Sequence, residues 1–171
     1  MEASGSDDDT SAARLVQAAD TGPHRLHMES WISFAPYERL LHMEIVEARD
    51  GTATLTMPFL VQFAQGAALM HGGALMSLAD TAMVMAIKSV LLPGTHFATV
   101  HVEADFLRPV THGNVTAKAR LTGREGRKIS GETRVFNDLD EAVLDLSAKF
   151  VVARDARIRD VTFADGNRPA G

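Results

Sequence analysis

MHGGALMSLADTAMVMAIKSVLL, residues 70–92, is the longest apolar run in the chain, and the reading of the fold starts from it. Small residues dominate the run, and Asp80 and Lys88 are its only acidic and basic side chains besides His71. A glycine pair after His71 opens it and Pro93-Gly94 breaks it, so residues 72–91 predict a helix of roughly five turns, about 30 Å long. A helix apolar on most of its circumference must be enclosed on most of its circumference. The flanking segments therefore have to wrap it, and Ala74, Ser77, Ala79, Ala82 and Ala86 allow them to come close.

Those segments read as strands. Residues 43–48 lead into Arg49-Asp50-Gly51, a two-residue hairpin signal. Thr52, Thr54 and Thr56 then alternate with Ala53, Leu55 and Met57 until Pro58 closes the strand. The loop VQFAQGAA, residues 61–68, carries Gln65 and Gly66 and delivers the chain to the helix. Four more strands are expected at residues 97–107, 114–122, 128–137 and 142–153. In the first, Ala98, Val100, Val102, Ala104 and Phe106 alternate with Thr99, His101, Glu103 and Asp105; in the last, Leu144, Leu146, Ala148, Phe150 and Val152 share a face. Short turns imply an antiparallel sheet. The expected class is α+β: about six antiparallel strands curved around one long central helix.

Outside that unit, residues 1–25 are rich in Asp, Ser, Ala and Gly and are expected to form a mobile or weakly helical arm. The domain proper is taken as residues 26–154, and residues 155–171 as a charged, frayed tail. Residues 30–34, SWISF, predict a short helix or turn ending near Pro36, with Trp31 and Phe34 on one face. That face is a packing plug for the domain edge or, alternatively, a lid over a ligand pocket.

With 171 residues, 46% hydrophobic and 23% charged, the chain fits one soluble globular domain with tails. A net charge of -5 and a pI near 5.8 argue against a nucleic-acid surface. The absence of cysteine excludes disulfides, thiolate nucleophiles and Cys-based zinc sites. The first residues, MEASGSDDDTSAARL, hold no apolar signal core. On length alone residues 70–92 would span a bilayer, but Asp80 near its centre would cost about 2.5–3.5 kcal/mol. The paired glycines and flanking strands also oppose a span, so a cytoplasmic protein is expected. His96 and His101 match no zinc spacing, His42 and His112 read as packing or surface residues, and neither metal nor cofactor is expected.

Two features suggest chemistry. Asp80 sits mid-helix among Leu78, Ala79, Ala82 and Met83, where desolvation raises a carboxyl pKa and functional sites are enriched. The bland alternative is a solvated groove, or a pairing with Lys88 or an arginine. His71-Gly72-Gly73 leaves helix N–H groups open to a ligand carbonyl, as an oxyanion site requires, although glycines also serve close backbone passage. Nine residues separate His71 from Asp80, about 900° of rotation and about 13 Å of rise. The two side chains thus point to opposite sides, and a shared substrate would need Asp80 of one subunit and the helix start of another.

Gln65, then HGG at residues 71–73, LAD ending in Asp80, and FLRP at residues 106–109 together resemble the hotdog-fold acyl-CoA thioesterases. The likeness is strongest to the phenylacetic-acid-degradation (PaaI) type and the 4-hydroxybenzoyl-CoA thioesterases, and it runs over residues 40–152. The resemblance implies a sheet wrapped round the helix, dimers paired sheet edge to sheet edge, and dimers of dimers. It implies Asp80 as the essential carboxylate, acting as nucleophile or as general base. By the same resemblance Gly72 supplies the polarising N–H from the opposite subunit, with Gly73 beside it toward substrate. Gln65 helps to place carbonyl or water, His71 is positional, and Thr99 orients water. The expected substrate is an acyl-CoA. Within the basic turn GREGRK, residues 123–128, Arg127 and Lys128 are candidates for the CoA phosphates, though a solvated hairpin tip reads equally well. The alternative function is a non-catalytic acyl-CoA-binding or sensing hotdog protein, against which the Asp80–Gln65–HGG combination argues. A hotdog dehydratase would need a His-plus-acid arrangement that is not evident.

Overall fold

The computed structural model describes residues 21, 22, 24–154 and 160–164; most of the arm expected over residues 1–25 and most of the tail expected over 155–171 lie outside the described residues. The core is a six-stranded antiparallel sheet in the order β2-β3-β5-β6-β7-β4, with a helix, α2, across its inner face. Its strands are β2 (Glu44–Arg49), β3 (Thr52–Pro58), β4 (Phe97–Phe106), β5 (Asn114–Glu125), β6 (Lys128–Phe136) and β7 (Ala142–Val152). The helix runs Gly72–Lys88. The α+β architecture expected from the apolar run and its flanking strands is the one observed.

Local chemistry explains most of these elements. Asp50 and Gly51 both take positive φ, 50° and 77°, which matches the twist of adjoining strands and closes the β2–β3 hairpin. Ala53, Leu55 and Met57 are buried against the helix while Thr52, Thr54 and Thr56 face outward. Ala117, Ala119, Ala148 and Gly131 keep the inner face low beneath α2. Gly131 is sterically required: a Cβ there would collide with Met83 Sδ and stand 2.9 Å from the Arg120 carbonyl oxygen. Fully buried Leu55, Leu78, Met83, Leu144 and Phe150 each contribute about 1.5–3 kcal/mol of transfer free energy. The buried Thr133 hydroxyl is satisfied by donating to the Ala79 carbonyl at 3.1 Å.

Four expectations need correction. The helix stops at Lys88 rather than Leu91, because Ser89 Oγ bonds back to the Ala86 carbonyl (2.7 Å) and accepts from the Gly51 N–H (2.9 Å). Pro36 begins a helix, α1 (Pro36–Leu40), instead of ending one, as suits a residue with fixed φ and no N–H. Trp31 and Phe34 do not share a helical face: Trp31 packs with Met28 and Phe163, whereas Phe34 packs on the main core. Finally, part of the segment read as frayed tail is a strand. β8 (Val161–Phe163) pairs in parallel with β1 (Leu26–Met28), and Trp31 meets the Phe163 ring edge-on at 6.0 Å.

The strand β4 departs from the expected alternation in a way that matters for the site. Thr99 pairs with Phe150, but the next partner pair is His101 with Lys149, so Val100 is the extra residue of a bulge. Cross-strand partners share a face, and Phe150, Ala148, Leu146 and Leu144 face the helix. Thr99, Val102, Ala104 and Phe106 therefore belong to the helix side, and the bulge moves Thr99 there from the polar row. Among the described residues no helix is long and apolar enough to cross a membrane.

Candidate active site

The helix start is assembled by the loop before it. Gln65 closes a tight turn: its N–H donates to Leu69 O, its carbonyl accepts from Ala68 N–H, and its side-chain Oε1 accepts from Ala67 N–H at 2.8 Å. His71 N–H then donates to Phe63 O at 2.8 Å, anchoring the residue that caps α2. The His71 ring is the cap itself, with Nδ1 accepting from the Gly73 N–H at 2.9 Å. Ala74 and Leu75 donate to the His71 carbonyl, so among the described residues the Gly72 N–H is left without an acceptor. It is an open donor at the positive end of a helix of 17 residues. Phe106 lies across this end, its Cε1 3.0 Å from where a Gly72 Cβ would stand, which explains the glycine.

The sheet covers most of α2 but leaves a stripe of Gly73, Ser77, Asp80, Val84 and Lys88, spaced three or four apart and none of them fully buried. Asp80 is half-buried on that stripe. Its Oδ1 accepts from the Thr99 hydroxyl at 3.2 Å. Among the described residues no cation lies within ion-pair distance, so the pairing with Lys88 considered from sequence is not made. Burial holds the Asp80 carboxyl above the ordinary aspartate value; the Thr99 hydrogen bond opposes this, and the negative charge of Glu38 adds to it.

Glu38 escaped the sequence reading, as did Tyr37. α1 lays both over the open stripe: Tyr37 Oη bonds Ser77 Oγ at 2.8 Å, and Glu38 Oε2 is buried with no hydrogen-bond partner among the described residues. A Pro-Tyr-Glu start was the signal, since proline at the first helical position marks a beginning. Lys88 also has a depressed pKa through burial, offset in part by Glu38, and its ammonium rests 5.1 Å from the Trp31 ring centre. A cavity of about 310 Å³ opens one helical turn beyond Asp80, walled by Trp31, Val84, Lys88, Phe97, Thr99 and Phe163. A larger groove of about 650 Å³ lies on the outer sheet face, where four of its charges form two pairs, Arg120 with Glu132 and Arg134 with Asp145, each at 2.6 Å. Asp80 and the helix start do not line it.

The structure thus joins Asp80 with Thr99, and His71 with Gly72 and Gly73. It does not join the two groups within one chain, since eight residues of helix set Gly72 about 12 Å from Asp80. Gln65 serves its own turn. Arg127 donates to the Val152 carbonyl at 3.0 Å, and with exposed Lys128 it occupies the hairpin tip beside the Phe97 end of the sheet. Among the described residues no three His, Asp or Glu side chains gather to hold a metal.

A half-buried carboxylate and an open helix N–H suit attack on a carbonyl. The family model described as the Thioesterase superfamily matches residues 68–144, the helix and the three strands after it. In curated sequences, the acyl-coenzyme A thioesterase PaaI of Escherichia coli (strain K12) is 36% identical over 90 residues, 51% of this chain. This match spans 62% of that relative's length, less than two thirds. The solved structure of E. coli PaaI, from the phenylacetic acid degradation operon, superposes with a TM-score of 0.66 at 26% identity, covering 76% of this chain and 88% of PaaI. A conserved protein of Pseudomonas aeruginosa gives a TM-score of 0.67 at 27% identity, covering 70% and 95%.

Over residues 68–144 the chain is similar to the thioesterase superfamily, and its fold is that of the solved PaaI structure. The long helix and six-stranded sheet that the sequence predicted are the α+β hotdog arrangement. Asp80, Gly72, His71, Gly73 and, by its position on β4, Thr99 fall within the segment matched by the thioesterase family model, whereas Gln65 lies just before it.

Proposed function

We propose that this protein hydrolyses an acyl-CoA thioester to the free acid and coenzyme A, as a homodimer whose sites each combine Asp80 of one copy with the Gly72 N–H of the other. One observation carries the reading: the Thr99-bonded Asp80 and the open Gly72 N–H both border β4, a sheet edge left exposed. The other edge, β2, is shorter and carries Glu44, Glu47 and Arg49. By contrast β4 is ten residues long, with Val100 60% and Phe106 54% exposed, an edge suited to pairing with another strand. If β4 pairs antiparallel with its own copy about Val102–Glu103, Thr99 of one chain faces Phe106 of the second. Phe106 touches the Gly72 end of its own helix, so the pairing sets one copy's Asp80 near the other's Gly72.

In that arrangement the thioester carbonyl accepts from Gly72 N–H and Asp80 lies behind the carbonyl carbon. Asp80 takes a proton from water as the water oxygen attacks, and its raised pKa makes it a better base than an exposed aspartate. The oxyanion rests on Gly72 N–H at the positive helix end. Its collapse expels the CoA thiolate, a good leaving group, so neither metal nor cofactor is called for. Thr99 orients Asp80 and the water, His71 fixes the helix start, and Gln65 shapes the turn that presents it. Gly73, Arg127 and Lys128 lie toward the CoA side in this proposal.

Subunit complementation tests it. D80N and G72V, each expected to be inactive alone on an acyl-CoA panel read by free-thiol release, should regain about a quarter of wild-type activity after mixed refolding, since half the dimers are hybrids with one intact site. Activity confined to a monomer, or a silent mixture of hybrid dimers, refutes the shared site. No thiol release from any acyl-CoA, together with tight binding, would instead make it a binding protein.

A further inference from the structure

Trp31, Met28 and Phe163 are all buried, yet they come from opposite ends of the described chain and close one end of the cavity beside the candidate site. From this geometry we infer that the cavity is the acyl-tail site, shaped for an unbranched saturated chain of about eight to ten carbons, with the Trp31–Phe163 pair setting the length limit. The inference rests on the thioesterase reading and deepens it.

Continuity comes first. Thr99, which donates to Asp80, is part of the cavity wall, and Val84 and Lys88 continue the Asp80 stripe one and two turns further along α2. An acyl group whose carbonyl carbon meets Asp80 therefore has an apolar channel open in one direction along the helix. Size comes second. The eight residues from Asp80 to Lys88 cover about 12 Å, and an extended chain advances about 1.25 Å per carbon for a C–C bond near 1.5 Å; the length fits about ten carbons. At about 30 Å³ per water-sized group, the cavity volume of about 310 Å³ also holds about ten heavy atoms. A phenylacetyl group would fill only about half of that length.

Polarity comes third. At the Lys88 end, Trp31 Nε1 donates to the Lys88 carbonyl at 3.0 Å, and the Lys88 ammonium sits over the Trp31 ring. Most of the remaining wall is apolar, with Leu26, Met28, Val84, Phe97, Phe150 and Phe163 among its residues. Trp31, Met28 and Phe163 also lie outside residues 68–144, the segment shared with the superfamily, so the depth of the cavity is set by this chain's own ends.

Trp31 is the only tryptophan in the chain, and its emission reports the cavity directly. The test titrates the full-length protein with non-hydrolysable thioether analogues of acetyl-, decanoyl- and phenylacetyl-CoA, and separately measures kcat/KM from butyryl- to myristoyl-CoA. The decanoyl thioether should shift Trp31 emission and the acetyl one should not. The value of kcat/KM should climb about fourfold per methylene to a maximum near eight to ten carbons, then fall. Phe163→Ala should move that maximum to longer chains and Val84→Phe to shorter ones, with far-UV circular dichroism confirming the fold of each. A profile flat in chain length, a phenylacetyl optimum, or silent Trp31 emission with brisk thiol release overturns the inference and leaves the hydrolase reading standing. A decanoyl-specific emission shift with no thiol release keeps the tail site and removes the catalytic reading.

Discussion

Asp80→Asn exchanges one oxygen for an NH₂ group and removes one charge from the open stripe of α2, and its two consequences run in opposite directions. As the base, Asp80 should be worth about 10²–10⁴ in kcat. For stability the sign is reversed. Burial raises the Asp80 pKa above that of the unfolded chain, so the folded state holds this proton more tightly than the unfolded state does. The cost of the charge is therefore absent below the ordinary aspartate value of 3.8, grows as pH rises through the folded pKa, and is complete at neutral pH. The hydrogen bond from Thr99 at 3.2 Å does not cancel that cost. Solvent screens a half-buried group, which keeps the gain from removing the charge to about 0.5–1 kcal/mol. For a chain of this size that is about 1–4 °C in Tm. Thermal unfolding of wild type and D80N across pH, with thiol-release kinetics at neutral pH, measures both effects. D80N should melt higher at neutral pH, with the gap closing as pH falls toward 3.8. A gap that is absent or independent of pH, or kcat within tenfold of wild type, would refute the reasoning.

The two neighbours of Asp80 should move the acid limb of kcat/KM in opposite directions. Thr99→Val removes the hydrogen bond that lowers the Asp80 pKa and shifts the limb to higher pH, whereas Glu38→Gln removes a like charge and shifts it lower; pH–rate profiles that move the same way would contradict the assignment. Val100→Glu would face Asp105 of a second copy across the proposed β4 pairing, weakening the dimer by on the order of 1 kcal/mol, about fivefold in Kd. Light scattering should show that loss in step with lost thiol release. Gly131→Ala presses on Met83 and the Arg120 carbonyl, and overpacking there should cost about 1–3 kcal/mol in thermal or denaturant unfolding. Lys128→Glu, at the exposed hairpin tip, should raise KM for acyl-CoA with kcat little changed if that tip meets the CoA phosphates.

Contacts between near neighbours explain what could be read from the residues alone. The enclosed helix follows from the apolar run, the β2–β3 hairpin from Asp50-Gly51, and the buried faces of β3 and β7 from strict alternation. Each depends on sterics and periodicity within a few residues, which the order of residues carries directly. Helix geometry likewise keeps Asp80 from its own Gly72 in any fold, so that one substrate meeting both would need two subunits.

Thr99 shows where that reasoning stops. Alternation grouped it with His101, Glu103 and Asp105, and only the pairing of β4 with β7 reveals the bulge at Val100 that moves it beside Asp80. A bulge is a property of two strands in register, not of one. The same holds for Glu38, brought over the helix stripe by α1, and for its part, with Thr99, in setting the Asp80 pKa, whose rise by burial the apolar neighbours had already suggested. Nor could residue order join Leu26–Met28 to Val161–Phe163 and make them a wall of the cavity. Such contacts depend on which distant segments bury apolar surface together, and in this protein the tertiary structure alone decided that.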